Sequence, residues 1–248
     1  MTTPRWTRPD TVPFPSVWRR FEGKRALEDG KVPNFWVQDV TDDLAEDVVA
    51  HMTEFFLRDE PLTSNVKVRD DPVSLREIQS LWREMIKQRV ALVALTNGDK
   101  GPVIAGCNVT GVVYKSDKGK DTQYEGGPMK AVIAALEYIC DNVDVFQRYG
   151  VNEYMTALGL SVQPAYRGQG IGIELLRARF DLGRAVGLKL TVTVFTAIAS
   201  QILAHRIGME VLAEVSYKDY LQDGQVVFQN MKTPSMKMMA KRIENVDE

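Results

Sequence analysis

Six residues, Arg167-Gly168-Gln169-Gly170-Ile171-Gly172, carry the first legible chemistry of this chain. Glycine alternates there, so several backbone N–H groups lack side-chain cover and have no evident strand partner. The next segment, IELLRARFDLGRAVG, places Ile173, Leu175, Leu176, Phe180 and Leu182 at near-helical spacing, which sets those N–H groups at a helix N-terminus. Unpaired donors and the positive end of the helix dipole then point the same way, which suits a phosphate. A Rossmann fingerprint needs Gly-x-Gly-x-x-Gly directly after a strand, and a Walker A loop needs Gly-Lys-Ser/Thr. Here Gly168-x-Gly170-x-Gly172 follows a Pro164-Ala165-Tyr166-Arg167 turn, so neither fits. A plain glycine-rich strand-to-helix turn is the competing reading.

The only histidines are His51 and His205, too little material for a Ser-His-Asp triad or a His-rich zinc site, so a base must be sought among carboxylates. Cys107 and Cys140 sit in apolar contexts without Cys-x-x-Cys or nearby histidine. They read as reduced core thiols, and no metal is expected.

The elements that must position this chemistry follow from pattern and punctuation. Residues 152–162 form a strand ending in Leu160-Ser161-Val162, and Pro164 breaks it before the turn. Upstream, NFWVQDV (34–40) is a short strand, and a helix through Leu44, Val48, Val49, Met52 and Phe56 must end near Arg58, since Pro61 disfavours the α region at Glu60. Helices are expected over 72–88 and 129–147, a hairpin over 90–96 and 103–114, and a polar, glycine-rich loop over 115–127. Beyond the motif helix, LKLTVTVF (188–195) is a buried strand, and 199–206 is a short helix ending at Gly208. Closing strands follow over 211–217 and 225–229, and 235–243 reads as a terminal helix or a frayed tail. The sum is an α/β class fold, a mixed sheet with helices on both faces.

At 248 residues and 44% hydrophobic content the chain suffices for one large domain, and no repeat or second boundary is visible. Residues 1–33, rich in Pro, Arg and Trp, are expected to be an extension packed on a single domain spanning 34–248. A net charge of −2 with interspersed signs favours neither nucleic acid nor an anionic membrane. With no signal-peptide run and no apolar stretch near ~18 residues, a cytoplasmic protein is expected, and a monomer.

Arg-x-x-Gly-x-Gly after a strand ending Leu-Ser-Val and a proline break resembles the acetyl-CoA-binding motif of the Gcn5-related N-acetyltransferase superfamily, whose loop wraps the pyrophosphate of coenzyme A. The element order agrees with that fold, a central mixed twisted sheet flanked by helices. The resemblance implies that acetyl-CoA is held by Arg167, Gly168, Gln169, Gly170, Ile171 and Gly172, and that Leu160, Ser161 and Val162 pair through their backbones with its pantetheine arm. Acetyl transfer to an amine needs the ammonium deprotonated, so a carboxylate near the acceptor is a suitable base. Glu60, in Phe55-Phe56-Leu57-Arg58-Asp59-Glu60-Pro61-Leu62, lies at a helix exit where it would be partly enclosed. A solvated turn carboxylate is the alternative.

Asp59-Glu60-Pro61-Leu62, taken with Leu160–Gly172, resembles the insect-type arylalkylamine N-acetyltransferases over about residues 35–220, where the equivalent glutamate is the base. That resemblance implies small amine substrates of the dopamine, tyramine, serotonin and tryptamine class, attacked directly in a ternary complex. It implies hydroxyl roles for Thr196 and for Ser200, the latter in proton transfer or equally as a helix-start or coenzyme contact. A tyrosine acid found in many relatives falls at Ala204 here and is absent. Two other readings stay open: an acyltransferase for a non-aromatic amine such as agmatine or for longer acyl donors, and an inactive coenzyme-A-binding sensor.

Overall fold

In a computed structural model of the chain, residues 5–28, 30–119 and 122–244 are described. Positions 1–4 of the N-terminal segment, and residues 120 and 121 of the loop expected over 115–127, lie outside them. Eight strands make one sheet, in the order β1-β2-β3-β4-β5-β6-β10-β7. They are β1 (Val17–Glu22), β2 (Asn34–Asp39), β3 (Leu92–Gly98), β4 (Gly101–Tyr114), β5 (Glu153–Val162), β6 (Leu190–Phe195), β7 (Glu210–Ser216) and β10 (Ser235–Arg242), with β8 (Leu221–Gln222) and β9 (Gln225–Val226) forming a separate small hairpin. Neighbours are antiparallel except β5 and β6, which run parallel and share the single registered pair Met155–Thr191.

The helices cover both faces. On one lie α1 (Ala45–His51), α2 (Leu57–Asp59), α3 (Pro61–Asn65), α4 (Pro72–Ile86), α5 (Gly127–Cys140) and α6 (Val145–Tyr149); on the other lie α7 (Ile171–Ala185) and α8 (Ile198–Arg206). Strand β3 shows why two layers are needed. Its period of two sends Leu92 and Ala94 to the core under α7, and Val93 and Leu95 to the core under α4.

Three expectations are corrected. The segment 235–243 is neither helix nor tail: β10 pairs with β6 from Lys237 to Arg242 and with β7 from Ser235 to Ala240. Met, Lys and Ala favour helices locally, but Met236, Met238, Met239 and Ala240 are buried, and that burial outweighs preferences of a few tenths of a kcal/mol per residue. The helix expected over 129–147 is two, because Asp144 restarts it by accepting from Gln147 N at 3.0 Å. The expected closing strand over 225–229 shrinks to two-residue β9.

The exit of the first helix is as expected in place and unusual in form. After α1 the chain makes a π turn (Met52–Phe56), then α2, and Glu60 is extended at φ −74°, ψ 129° ahead of Pro61. Proline at the start of α3 forbids a continuous helix, so Glu60 becomes an N-cap. The N-terminal segment is fastened to β2: buried Asp39 receives Arg8 Nη2 at 2.9 Å, Trp18 Nε1 at 2.9 Å and Ser16 N at 2.8 Å.

Candidate active site

The glycine turn joins β5 to α7 as its spacing demands. Gly168 and Gly170 have φ of 81° and 90°, a region that side-chain-bearing residues enter at a cost. Among the described residues, the N–H groups of Gly168, Gln169 and Gly170 find no protein acceptor, and the first turn of α7 adds donors without intrahelical partners. These donors fit a phosphate. The Arg167 side chain is engaged elsewhere, paired with Asp59 and donating Nε to Val162 O at 3.2 Å. Asp59 also receives Arg58 Nε at 2.9 Å, and the Arg58 and Arg167 guanidiniums hold its carboxyl down to about 2.

Past Met155 and Thr191, strands β5 and β6 have no further registered pair, so the sheet forks there. A bulge in the β4–β5 ladder between Asn108 and Thr110 distorts β5 at the same level. The fork opens into a cavity of about 1230 Å³. All twelve residues assigned from the sequence line it: Leu160, Ser161 and Val162 along one prong, Arg167 to Gly172 at the turn, and Glu60, Thr196 and Ser200 across from them.

Glu60 is half-buried and held from three sides. Its Oε1 accepts from Leu62 N at 3.0 Å and Thr196 Oγ1 at 2.6 Å, and its Oε2 from Thr63 N at 2.6 Å. A carboxylate has about four lone-pair sites, so Oε2 keeps one for a water or an ammonium. Thr196 is itself positioned, its carbonyl receiving Tyr217 Oη at 2.9 Å. Ser200 stands apart from this group, donating to Ala197 O at 2.9 Å within the first turn of α8.

This geometry has close relatives among solved structures. A mosquito protein from Aedes aegypti, named as a candidate arylalkylamine N-acetyltransferase 7, is 36% identical over 97% of this chain and 100% of its own, with a TM-score of 0.90. The chain belongs to the insect arylalkylamine N-acetyltransferase family. Arylalkylamine N-acetyltransferase 2 of Aedes aegypti, at 21% identity, covers 85% of this chain and 99% of its own with a TM-score of 0.74. The polyamine N-acetyltransferase of Drosophila melanogaster, which forms N-acetylagmatine, is 20% identical over 84% of this chain and 99% of its own, with a TM-score of 0.73. These last two show the shared acetyltransferase fold. No family model and no curated protein matches the chain.

Several contacts within this acetyltransferase were not legible in advance. Gln169, only 1% exposed, accepts on Oε1 from Lys24 N at 2.8 Å and Arg25 N at 3.1 Å, and donates Nε2 to Arg25 O at 2.9 Å. It thereby fastens the segment after β1 onto the glycine turn. Arg179 of α7 is buried at the base of the fork, donating Nη2 to Met155 O at 3.0 Å while Nε and Nη1 have no partner among the described residues. Burial lowers its pKa to about 9. Tyr217 and Tyr220 pack with Phe228 in the core. Burial, and then the charge of Glu60, pushes the Tyr217 phenol up. The slot of the missing tyrosine acid, Ala204, is fully buried. Among the described residues no helix is long and apolar enough to cross a membrane, and no cluster of His, Cys, Asp and Glu could hold a metal ion.

His51 faces Ser161 across the base of the site, Nε2 to Oγ at 3.1 Å. Burial holds the imidazole down to about 4 from its ordinary 6.5, so it is neutral in the folded protein at neutral pH. Unfolding frees it to take a proton below about 6.5, so folding stability is intact above that pH and falls as pH drops through 4. Between pH 7.5 and pH 5 this group alone removes about 2 kcal/mol. Urea unfolding at the two pH values checks it: wild type should lose that much more than His51→Gln, and equal losses would rule the assignment out.

Proposed function

We propose that the protein transfers an acetyl group from acetyl-CoA to the primary amine of a small arylalkylamine, with Glu60 as general base. The observation that carries this reading is the convergence of Glu60 and the glycine turn on one cavity, whose lining along α4 and α5 is largely aliphatic. Ile78, Leu81, Met129, Val132, Ile133 and Leu136, from α4 and α5, line this arm of it.

The bound thioester supplies an activated acyl group, and the chain's residues do the rest. The free N–H groups of Gly168 to Gly170 and the α7 N-terminus hold phosphate. The forked edge of β5 offers Leu160, Ser161 and Val162 as backbone partners for an extended arm. The unshared site on Glu60 Oε2 takes the ammonium proton, directly or through one water, and the freed amine attacks the thioester carbonyl in a ternary complex. The C–S bond breaks, and the departing thiolate takes the proton that the new amide nitrogen loses. Thr196 acts as a positioning residue, since its hydroxyl donates to Oε1 and leaves Oε2 open. Ser200 is a contact residue at the start of α8; its hydroxyl donates to Ala197 O.

The aliphatic arm favours an aromatic amine over agmatine. Cavity-lining carboxylates among the described residues are Glu22, Asp59, Glu60 and Glu174, none of them on α4 or α5. A guanidinium sent into the arm would be desolvated without a partner. Thiol release measured with aromatic and aliphatic amines against acetyl-CoA and longer acyl donors tests the reading. Phenylethylamines and indolethylamines should exceed agmatine in kcat/KM by about a hundredfold or more. Preference for agmatine would remove the substrate class, preference for a longer acyl donor would assign the arm to the acyl chain, and coenzyme A binding without thiol release would leave a sensor.

A further inference from the structure

We propose that the segment following β1, residues 23–25, is the cationic wall of the donor's phosphate subsite, with Lys24 donating to the pyrophosphate above Gly170. This rests on the coenzyme A reading of the glycine turn and adds a residue that the turn's own motif does not contain.

The argument begins with where the turn's own cation goes. Arg167 is paired with Asp59, whose carboxyl Arg58 also holds, and its Nε is spent on Val162 O. A dianionic pyrophosphate at Gly168–Gly170 therefore meets donors but little free positive charge from its own loop. Lys24 supplies it. A Cβ built on Gly170 would stand 3.1 Å from Lys24 Cε and 3.8 Å from its Nζ, so the lysine lies against the glycine face itself. Lys24 is exposed, lines the cavity, and forms no ion pair among the described residues.

The carboxylates nearby do not compete strongly for it. Glu174 is held by Arg19 Nε at 3.0 Å and Arg177 Nη1 at 2.6 Å, leaving Glu22 as the exposed acidic neighbour. Nor is the approach of this segment incidental. The three hydrogen bonds of buried Gln169 clamp residues 24 and 25 to the turn, and the Arg25 guanidinium crosses Gly168 to reach Arg167 O. Gln169 and Arg25 are thus positioning residues, and Lys24 is the ligand.

Calorimetric titration of the full chain with coenzyme A and with 3′-dephospho-coenzyme A tests the assignment. Lys24→Ala should weaken both about tenfold and flatten the salt dependence of binding, and Lys24→Arg should recover to within about threefold. In a Gln169→Leu background the lysine is no longer placed, so removing it should cost less than about twofold. A Lys24→Ala variant within about twofold of wild type overturns the proposal, as does a loss confined to coenzyme A, which would move the contact to the 3′-phosphate. Wild type that fails to bind coenzyme A at all would remove the donor reading, and this one with it.

Discussion

Replacing Glu60 with glutamine should lower kcat/KM for amine acetylation by about 10²–10³-fold at neutral pH, the range removed with a positioned general base. The shape of the loss matters more than its size. Glutamine keeps the volume and one carbonyl oxygen able to accept from Leu62 N, Thr63 N or Thr196 Oγ1, yet it cannot accept a proton. An alkylamine ionises near 10, so raising the pH supplies free amine from solution and the deficit should shrink towards pH 9–10, by about tenfold per unit. Glu60 also caps α3, and weakening that cap costs about 1 kcal/mol of stability. Thermal unfolding measures the cap and the pH profile measures the base. A deficit constant with pH would make Glu60 a structural cap, and full turnover would eliminate it.

The second large effect concerns Gly170. Valine there must hold a φ of 90° and place its Cβ 3.1 Å from Lys24 Cε, while its branches cover N–H groups that would meet phosphate. Strain of this kind costs about 1–3 kcal/mol, and lost donors add to it. Gly170→Val should therefore weaken coenzyme A binding by about 30-fold or more. The turn is at the surface end of α7, so the fold should survive and circular dichroism should match wild type. Unchanged affinity in a folded variant would show that the turn holds no phosphate.

These predictions depend differently on what was readable beforehand. The glycine turn was legible because its chemistry is local: consecutive backbone donors, a break at Pro164 and the apolar period of α7 all lie within 160–185. The exit at Glu60 was legible for the same reason, since a proline one residue on forces an extended backbone. The hairpin expected over 90–96 and 103–114 forms, but its turn is tighter than the glycines suggested: Asn97 pairs with Pro102 and Gly98 with Gly101 inside β3 and β4, leaving only Asp99 and Lys100 between the strands.

The rest was decided at long range. Glu60 meets Thr196 across 136 positions, and Gln169 meets Lys24 across 145. Both contacts exist because strands distant in sequence share one sheet, and no local pattern encodes which hydroxyl will face which carboxylate. The fork between β5 and β6 is a property of two strands that stop pairing after Met155 and Thr191, invisible in either alone. Strand β10 is the plainest case. SMKMMAKR favours helix locally, and only the gap between β6 and β7, with buried positions for its methionines, makes it a strand. By itself the sequence determined the glycine turn, the extended carboxylate at a helix exit and the α/β class, since each follows from backbone sterics and short-range periodicity. Tertiary structure decided how those pieces meet: which hydroxyl bonds Glu60, which cation stands over the turn, and how apolar the cavity lining from α4 and α5 is, because burial and pairing between remote segments set all three.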